Sequence, residues 1–124
     1  MTKDFFEELV VEALENLPKE FADKLSNVDV VIEDEPTPLQ HRKMNLRPNM
    51  TLFGLYEGIP QLRRGGNYGV GMVIPDKITI FQKPIEAWSR SDEEIKERVR
   101  RTVLHEIGHH FGLSDLELKK TRNG

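Results

Sequence analysis

Residues 105 to 115, HEIGHHFGLSD, bring several metal-competent side chains together at short spacing. His105 and His109 are four residues apart, so on a helix both imidazole rings project from nearly the same face and can reach one metal ion. Glu106 lies about 100° further round such a helix, where its carboxylate can reach a water molecule bound to that ion. The spacing therefore predicts a metal site with two histidine ligands and a neighbouring general base.

A catalytic zinc ion takes three protein ligands and keeps a fourth position open for water. Gly112 can end the helix and let the chain turn back. Asp115 is then the first metal-competent side chain that can return toward the two histidines, and Glu117 is the alternative third ligand. His110 is adjacent to His109 and points elsewhere, so we interpret it as a packing residue or as a hydrogen-bond partner of the site.

A long helix over about residues 92 to 111 must carry these side chains. Ser91 and Glu94 have the spacing of a capping box, and Gly112 suits the position just after the helix ends. Trp88, the only tryptophan, is expected to be buried ahead of this helix. The apolar residues that recur at helical spacing, and so form its buried stripe, are Ile95, Val99, Val103, Ile107 and Phe111.

The first half of the chain contributes further helices and strands. Apolar residues at helical spacing over residues 5 to 17 predict an amphipathic helix, and a short second helix is expected around Phe21. The β-branched segment at residues 28 to 33 and the apolar segment at residues 52 to 56 predict two strands. Helices and strands in this order indicate an α+β protein.

The middle of the chain predicts a hairpin flanked by long loops. Two apolar segments, residues 70 to 74 and 78 to 82, are joined by Pro75 and Asp76 and read as paired strands. Apolar residues do not recur at helix or strand spacing over residues 34 to 50 and 58 to 69, so both segments are expected to be loops. The predicted fold is a small mixed β-sheet of three to four strands packed on the N-terminal helix and the long helix.

Length and composition limit the classes of protein to consider. A chain of 124 residues is expected to form one domain, residues 1 to 124, and to act as a monomer. The net charge of −3 argues against nucleic acid and anionic membranes as partners, and the basic segment at residues 41 to 47 lacks the interleaved aromatics of a nucleic-acid site. There is no cysteine, no signal-like start and no apolar run of membrane length, which predicts a cytoplasmic protein.

The motif His-Glu-x-x-His-x-x-Gly-x-x-Asp resembles the signature of the minimal zincins, small bacterial single-domain proteins of metallopeptidase type. The resemblance extends upstream through residues 52 to 60, 74 to 80 and 101 to 104, and covers most of residues 50 to 115. It implies a zincin-like fold and one bound Zn²⁺.

Carried over position by position, the resemblance makes His105, His109 and Asp115 the zinc ligands and Glu106 the catalytic acid/base. It implies a zinc metallopeptidase that hydrolyses peptide bonds in peptides or unfolded proteins with a metal-activated water. The methionine turn and the later glutamate helix of larger zincins are missing after Asp115, so substrate would be held from one side only. The alternative is a metal-binding or partner-binding module of zincin type without significant turnover.

The resemblance also implies where substrate binds. In proteins of zincin type an extended peptide lies along an edge strand, which the predicted hairpin would supply through Val70, Gly71 and Met72. Arginines in the loops of residues 34 to 50 and 58 to 69, namely Arg47, Arg63 and Arg64, would favour acidic or C-terminal carboxylate groups. The candidates for stabilising the oxyanion are Tyr56, Tyr68, Arg63 and Arg64, and the sequence does not choose among them.

Overall fold

The computed structural model describes residues 1–22, 28–46, 51–58 and 76–110. The α+β class is confirmed, as are the long helix and the helix at the start of the chain. The elements in these ranges are α1 (Lys3–Glu15), α2 (Lys19–Ala22), β1 (Val28–Glu33), α3 (Pro38–Lys43), β2 (Gly54–Glu57), β3 (Asp76–Phe81), α4 (Gln82–Ala87) and α5 (Asp92–His110).

The described strands form one mixed sheet in the order β1-β3-β2. β3 runs parallel to β1, with Val28 opposite Asp76, and antiparallel to β2, with Gly54 opposite Ile80. Because β1 and β2 occupy both edges of β3, the predicted pairing of residues 78 to 82 with residues 70 to 74 is wrong. The first arm of that predicted hairpin lies outside the described residues.

The hydrophobic core lies between one face of the sheet and the two longest described helices. Ile78 and Ile80 alternate along β3, so their side chains share one face, and both are fully buried against α1 and α5. The two longest described helices contribute Phe6, Leu9, Val10 and Ala13 from α1 and Ile95, Val99, Val103, Leu104 and Ile107 from α5. The predicted stripe of buried apolar residues on α5 is thus confirmed from Ile95 to Ile107.

The start of α5 is capped largely as the sequence predicts. The Ser91 hydroxyl accepts a hydrogen bond from the Glu94 amide at 3.1 Å. The Glu94 carboxylate accepts from the Arg90 amide at 3.2 Å, one residue earlier than in a standard capping box. The Ser91 bond satisfies an amide that a helix start otherwise leaves without a partner, and the Glu94 bond holds the chain just before the helix, so the beginning of α5 is well defined.

Two sequence interpretations are corrected by local structure. The expected loop at residues 34 to 50 contains α3, where Thr37 and Gln40 exchange the two hydrogen bonds of a capping box at 3.1 and 2.9 Å. Trp88 is 62% exposed instead of buried, and it lies just after α4, a helix that is not predicted from the sequence. None of the helices in the described ranges has both the length and the apolar character needed to cross a bilayer.

Candidate metal centre

Two histidines of α5 face each other across one turn of the helix. The Nε2 atoms of His105 and His109 are 3.0 Å apart, and the ring centroids are separated by 4.7 Å with an interplanar angle of 73°. Both side chains are half-buried. Their nitrogens converge as the i, i+4 spacing predicts, which gives the geometry of a two-histidine metal site.

Glu106 completes the group. The ligand atoms of His105, Glu106 and His109 all lie within 4.8 Å of one another, and among the residues that the structure describes this is the group able to hold a metal ion. The Glu106 side chain is buried, at 8% exposure, whereas the histidines are more accessible. The carboxylate is therefore close to the histidine nitrogens and largely shielded from bulk water.

The spacing of the histidine nitrogens fits a tetrahedral zinc ion. Two nitrogen ligands about 2.0–2.1 Å from such an ion are about 3.3 Å apart, so each histidine needs to move by only about 0.2 Å from the separation seen here. Nitrogen and oxygen donors without sulfur are also the donor set of catalytic zinc sites. The described residues thus fit such an ion with two of its ligands.

The neighbouring strand comes close to α5 at Gly54, because this residue has no side chain. A Cβ atom at Gly54 would lie 2.7 Å from Thr102 Cγ2, 3.0 Å from Glu106 Cγ and 3.2 Å from the Thr79 carbonyl oxygen. Carbon atoms in ordinary contact are about 3.5–4.0 Å apart, so a side chain here would displace one of these groups. The backbone at Gly54 therefore forms a wall against which Glu106 rests.

Thr102 is held in one orientation beside that wall. Its hydroxyl donates a hydrogen bond to the Arg98 carbonyl oxygen at 2.7 Å, which directs the Cγ2 methyl group toward Gly54. A β-branched side chain with a bonded hydroxyl has little rotamer freedom in a helix. Thr102 and Gly54 together set the distance between β2 and the part of α5 that carries Glu106.

A groove of about 410 Å³ opens beside the metal-competent group. Residues 51 to 54 form one side, and one face of α5 forms the other. Both His105 and Glu106 line it, so a molecule bound there reaches the candidate metal centre. The residues that α5 contributes to the groove are Arg98, Arg101, Thr102, His105 and Glu106.

Charges on α5 are arranged around Glu97. Arg100 binds both carboxylate oxygens of Glu97, at 2.6 and 3.0 Å, and Arg101 donates to one of the same oxygens at 3.0 Å. The Arg100 hydrogen bond is the main cause that lowers the pKa of Glu97 to about 2, and Arg101 adds to it. The same pair raises the pKa of the Arg100 guanidinium. Two guanidinium groups thus share one carboxylate.

Several predicted site residues lie outside the described residues. They are the third ligand Asp115 with its alternative Glu117, the predicted substrate contacts Val70, Gly71, Met72, Tyr68, Arg63 and Arg64, and the side chain of His110. Tyr56 lies in β2 and is half-buried. Its role as an oxyanion stabiliser stays a prediction.

Sequence reasoning missed the wall of the groove. The sequence predicts a strand at residues 52 to 56, and the zincin resemblance extends through residues 52 to 60 and 101 to 104, but neither assigns any of these residues to a groove. A signal was present, since a glycine inside a predicted strand often marks a close backbone approach, as Gly54 does here. Which element approaches could not be read from spacing, because β2 and α5 are far apart in the chain.

The fold and the site together define an α+β protein with a His-Glu-x-x-His group that could hold a metal ion on its longest described helix. Residues 25–124 match the family described as zincin-like metallopeptidase, and the chain belongs to that family. The resemblance to the zincins is confirmed by this match.

A solved structure shows the same fold. It is that of a conserved hypothetical protein from Thermus thermophilus, which is 24% identical, superimposes with a TM-score of 0.57, and is matched over 98% of this chain and 99% of its own. At this identity the likeness supports the fold alone. A comparison with curated proteins gave no significant match.

Proposed function

We propose that this protein is a zinc-dependent peptidase in which His105, His109 and Asp115 hold the metal and Glu106 is the general base. The observation that carries the proposal is the convergence of two histidine nitrogens, 3.0 Å apart, with a buried carboxylate within 4.8 Å, beside an open groove. Membership of the zincin-like metallopeptidase family supports it. Asp115 is proposed as the third ligand because it occupies the last position of the family motif.

Zinc is the metal best suited to the donor set. Two imidazoles and a carboxylate leave one position of a tetrahedral ion open, as catalytic zinc sites do. When bound, the ion supplies Lewis-acid polarisation of the scissile carbonyl and lowers the pKa of a water molecule. One ion is proposed for each chain.

Glu106 performs the proton transfers. Its carboxylate oxygen accepts a proton from the attacking water and then delivers that proton to the nitrogen of the leaving amine. The buried position beside Gly54 supports this role, because the backbone of β2 limits the space into which the Glu106 side chain can move. His105 and His109 direct their Nε2 atoms toward one point, where they would hold the ion.

The substrate proposed for the groove is a short stretch of extended polypeptide. A volume of about 410 Å³ is within the range of small-molecule and peptide sites, and residues 51 to 54 line one side of it. Chains without stable structure fit such a groove more readily than folded proteins. Peptides and unfolded proteins are therefore the proposed substrate class.

The test compares Glu106→Gln with the wild-type protein in metal content and hydrolysis. Metal bound to purified protein is measured by elemental analysis, and cleavage of an unstructured peptide library is followed with and without chelator. We expect about one zinc per chain in both proteins and hydrolysis only in the wild type. Glu93→Gln is the matched control, since this exposed residue of α5 does not line the groove and its loss should change neither quantity.

The outcomes separate an enzyme from a binding module. Hydrolysis that survives in Glu106→Gln would contradict the assignment of the general base. Zinc at full occupancy with no cleavage by either protein would favour a metal-binding module instead. A wild-type protein that cleaves equally well in chelator would exclude the metal from the reaction.

A further inference from the structure

We propose that Arg101 is a specificity-determining residue that binds a carboxylate group of the peptide in the groove. The inference rests on the proposed function, because it concerns the substrate of that same site. Arg101 lines the groove together with His105 and Glu106, and its side chain is 59% exposed. A carboxylate here means either an acidic side chain or a free C-terminus.

The position of Arg101 along α5 places it next to the metal-binding side chains. Arg101, His105 and His109 follow one another at intervals of four residues, so they form one row on the helix surface. Successive members of such a row are slightly more than one helical turn, about 6 Å, apart along the axis. A peptide whose scissile bond lies at the histidines therefore has its neighbouring residue within reach of the Arg101 guanidinium.

The other arginine of the groove is already committed to internal contacts. Arg98 donates hydrogen bonds to the Ser89 hydroxyl at 3.2 Å and to the Trp88 carbonyl oxygen at 3.0 Å. Its guanidinium also lies over the Phe53 ring, 5.1 Å from the centroid. These contacts stabilise the groove wall around Phe53, and they leave Arg101 as the better cation for a substrate.

Arg101 retains binding capacity because its carboxylate partner is shared. Arg100 occupies both oxygens of Glu97, whereas Arg101 donates through a single nitrogen, Nε, at 3.0 Å. A guanidinium has five N–H donors, so the terminal nitrogens of Arg101 can still donate to another carboxylate. The three side chains together carry a net positive charge, which favours an anionic ligand.

The experiment measures peptide binding to zinc-loaded Glu106→Gln protein, in which bound peptide is not consumed. Fluorescence anisotropy gives Kd for four labelled peptides of one sequence, with Glu or Gln at the varied position and with a free or amidated C-terminus. We expect one of the two carboxylates to strengthen binding about fivefold, the upper range for an exposed ion pair. A preference for Glu over Gln would show that an acidic side chain is bound, and a preference for the free over the amidated peptide would show that the C-terminus is bound.

Three further substitutions in the same background test the role of Arg101. Arg101→Gln should abolish the carboxylate preference, while Arg101→Lys should retain only part of it, because an ammonium keeps the charge without the planar fork. Glu97→Gln should increase the preference, since Arg101 then loses its competing carboxylate. Lys96→Gln is the matched control: it removes a positive charge from the face of α5 that contacts Glu12 of α1, so it should leave the preference unchanged.

The results distinguish this inference from the proposed function. Equal Kd values for all four peptides, or a preference that Arg101→Gln and Lys96→Gln reduce to the same extent, would overturn the role of Arg101 even if the wild-type protein is a peptidase. An Arg101-dependent preference in a protein that hydrolyses nothing would support the binding role and refute the peptidase. Circular dichroism of each variant confirms that the exposed substitutions leave the fold intact.

Discussion

Substitution of Gly54 by alanine tests whether the approach of β2 to α5 positions Glu106. The added Cβ atom would lie 2.7 Å from Thr102 Cγ2 and 3.0 Å from Glu106 Cγ. Against an ordinary carbon contact of about 3.6 Å, these distances are short by about 0.9 and 0.6 Å. Thr102 cannot easily rotate, because its hydroxyl is bonded to the Arg98 carbonyl oxygen. Glu106 or the strand must therefore move.

The cost in stability follows from two opposing effects. Overpacking a well-packed contact destabilises by about 1–3 kcal/mol. Gly54 is not among the glycines with a positive φ, so alanine can adopt its backbone conformation. At such a position the change from glycine to alanine stabilises the fold by about 0.4–1 kcal/mol, because it lowers the entropy of the unfolded chain. The net loss for Gly54→Ala is thus about 1–2 kcal/mol, which lowers Tm by about 4–8 °C in a chain of this size.

The effect on catalysis should exceed the effect on stability. A displacement of about 0.6 Å at the general base lowers kcat by about 10- to 100-fold, because proton transfer depends steeply on the position of the carboxylate. Neither histidine is among the three groups nearest to the added Cβ atom, so zinc affinity should change by less than about 3-fold, and KM should change little. The assay is kcat and KM on a peptide substrate, with zinc affinity measured by competition with a chelating dye.

Two controls separate positioning from general destabilisation. Val99→Ala opens a cavity in the core side of α5, away from the groove, and should cost a similar amount of stability, about 2 kcal/mol, without changing kcat. Thr102→Ser removes the methyl group that is closest to the new Cβ, so the double variant with Gly54→Ala should recover part of the lost kcat. Unchanged kcat in a folded Gly54→Ala variant, or an equal loss in Val99→Ala, would refute the reasoning.

Three further predictions concern the metal and the charges of α5. Asp115→Ala should weaken zinc binding at least about 10-fold, and unchanged affinity by dye competition would remove Asp115 from the ligand set. Chelation should lower Tm but leave the helical circular dichroism signal largely intact, because α5 is capped and buries its own stripe; complete unfolding would contradict this. The pKa of Glu97 falls from 4.5 to about 2 on folding. The contribution of this carboxylate to the free energy of unfolding is therefore fully present above about pH 4.5 and is lost as the pH falls through about 2. Since the carboxylate is 44% exposed, Glu97→Gln should cost at most about 1 kcal/mol in urea denaturation at pH 7 and nothing near pH 1.

Local patterns were sufficient for the elements that carry the chemistry. Helical periodicity placed α5 within one residue of its observed bounds, Asp92–His110, and the i, i+4 rule brought His105 and His109 together. These features depend on residues close in the chain, whose relative positions follow from helix geometry alone. The third ligand, Asp115, stays a prediction, because it lies outside the described residues.

Pairing between distant segments was less predictable. The segment at residues 78 to 82 had the apolar character of a strand, and its neighbour in sequence was assigned as its partner. The structure pairs β3 with β1 and β2 instead, as the parallel register of Val28 with Asp76 shows. Strand character is local, but the choice of partner depends on which arrangement buries Ile78 and Ile80 against the helices.

The sequence by itself determined that a helix near residue 105 presents two histidines and a glutamate in the order that metal chemistry requires. Only the tertiary structure decided what faces them. Gly54 lies far before Glu106 in the chain, and its lack of a side chain matters only because the sheet places β2 against α5. Arg101 likewise became a candidate for substrate binding because residues 51 to 54 form the opposite side of its groove. Contacts within a helix follow from its period, whereas contacts between a strand and a helix depend on the packing of the whole core.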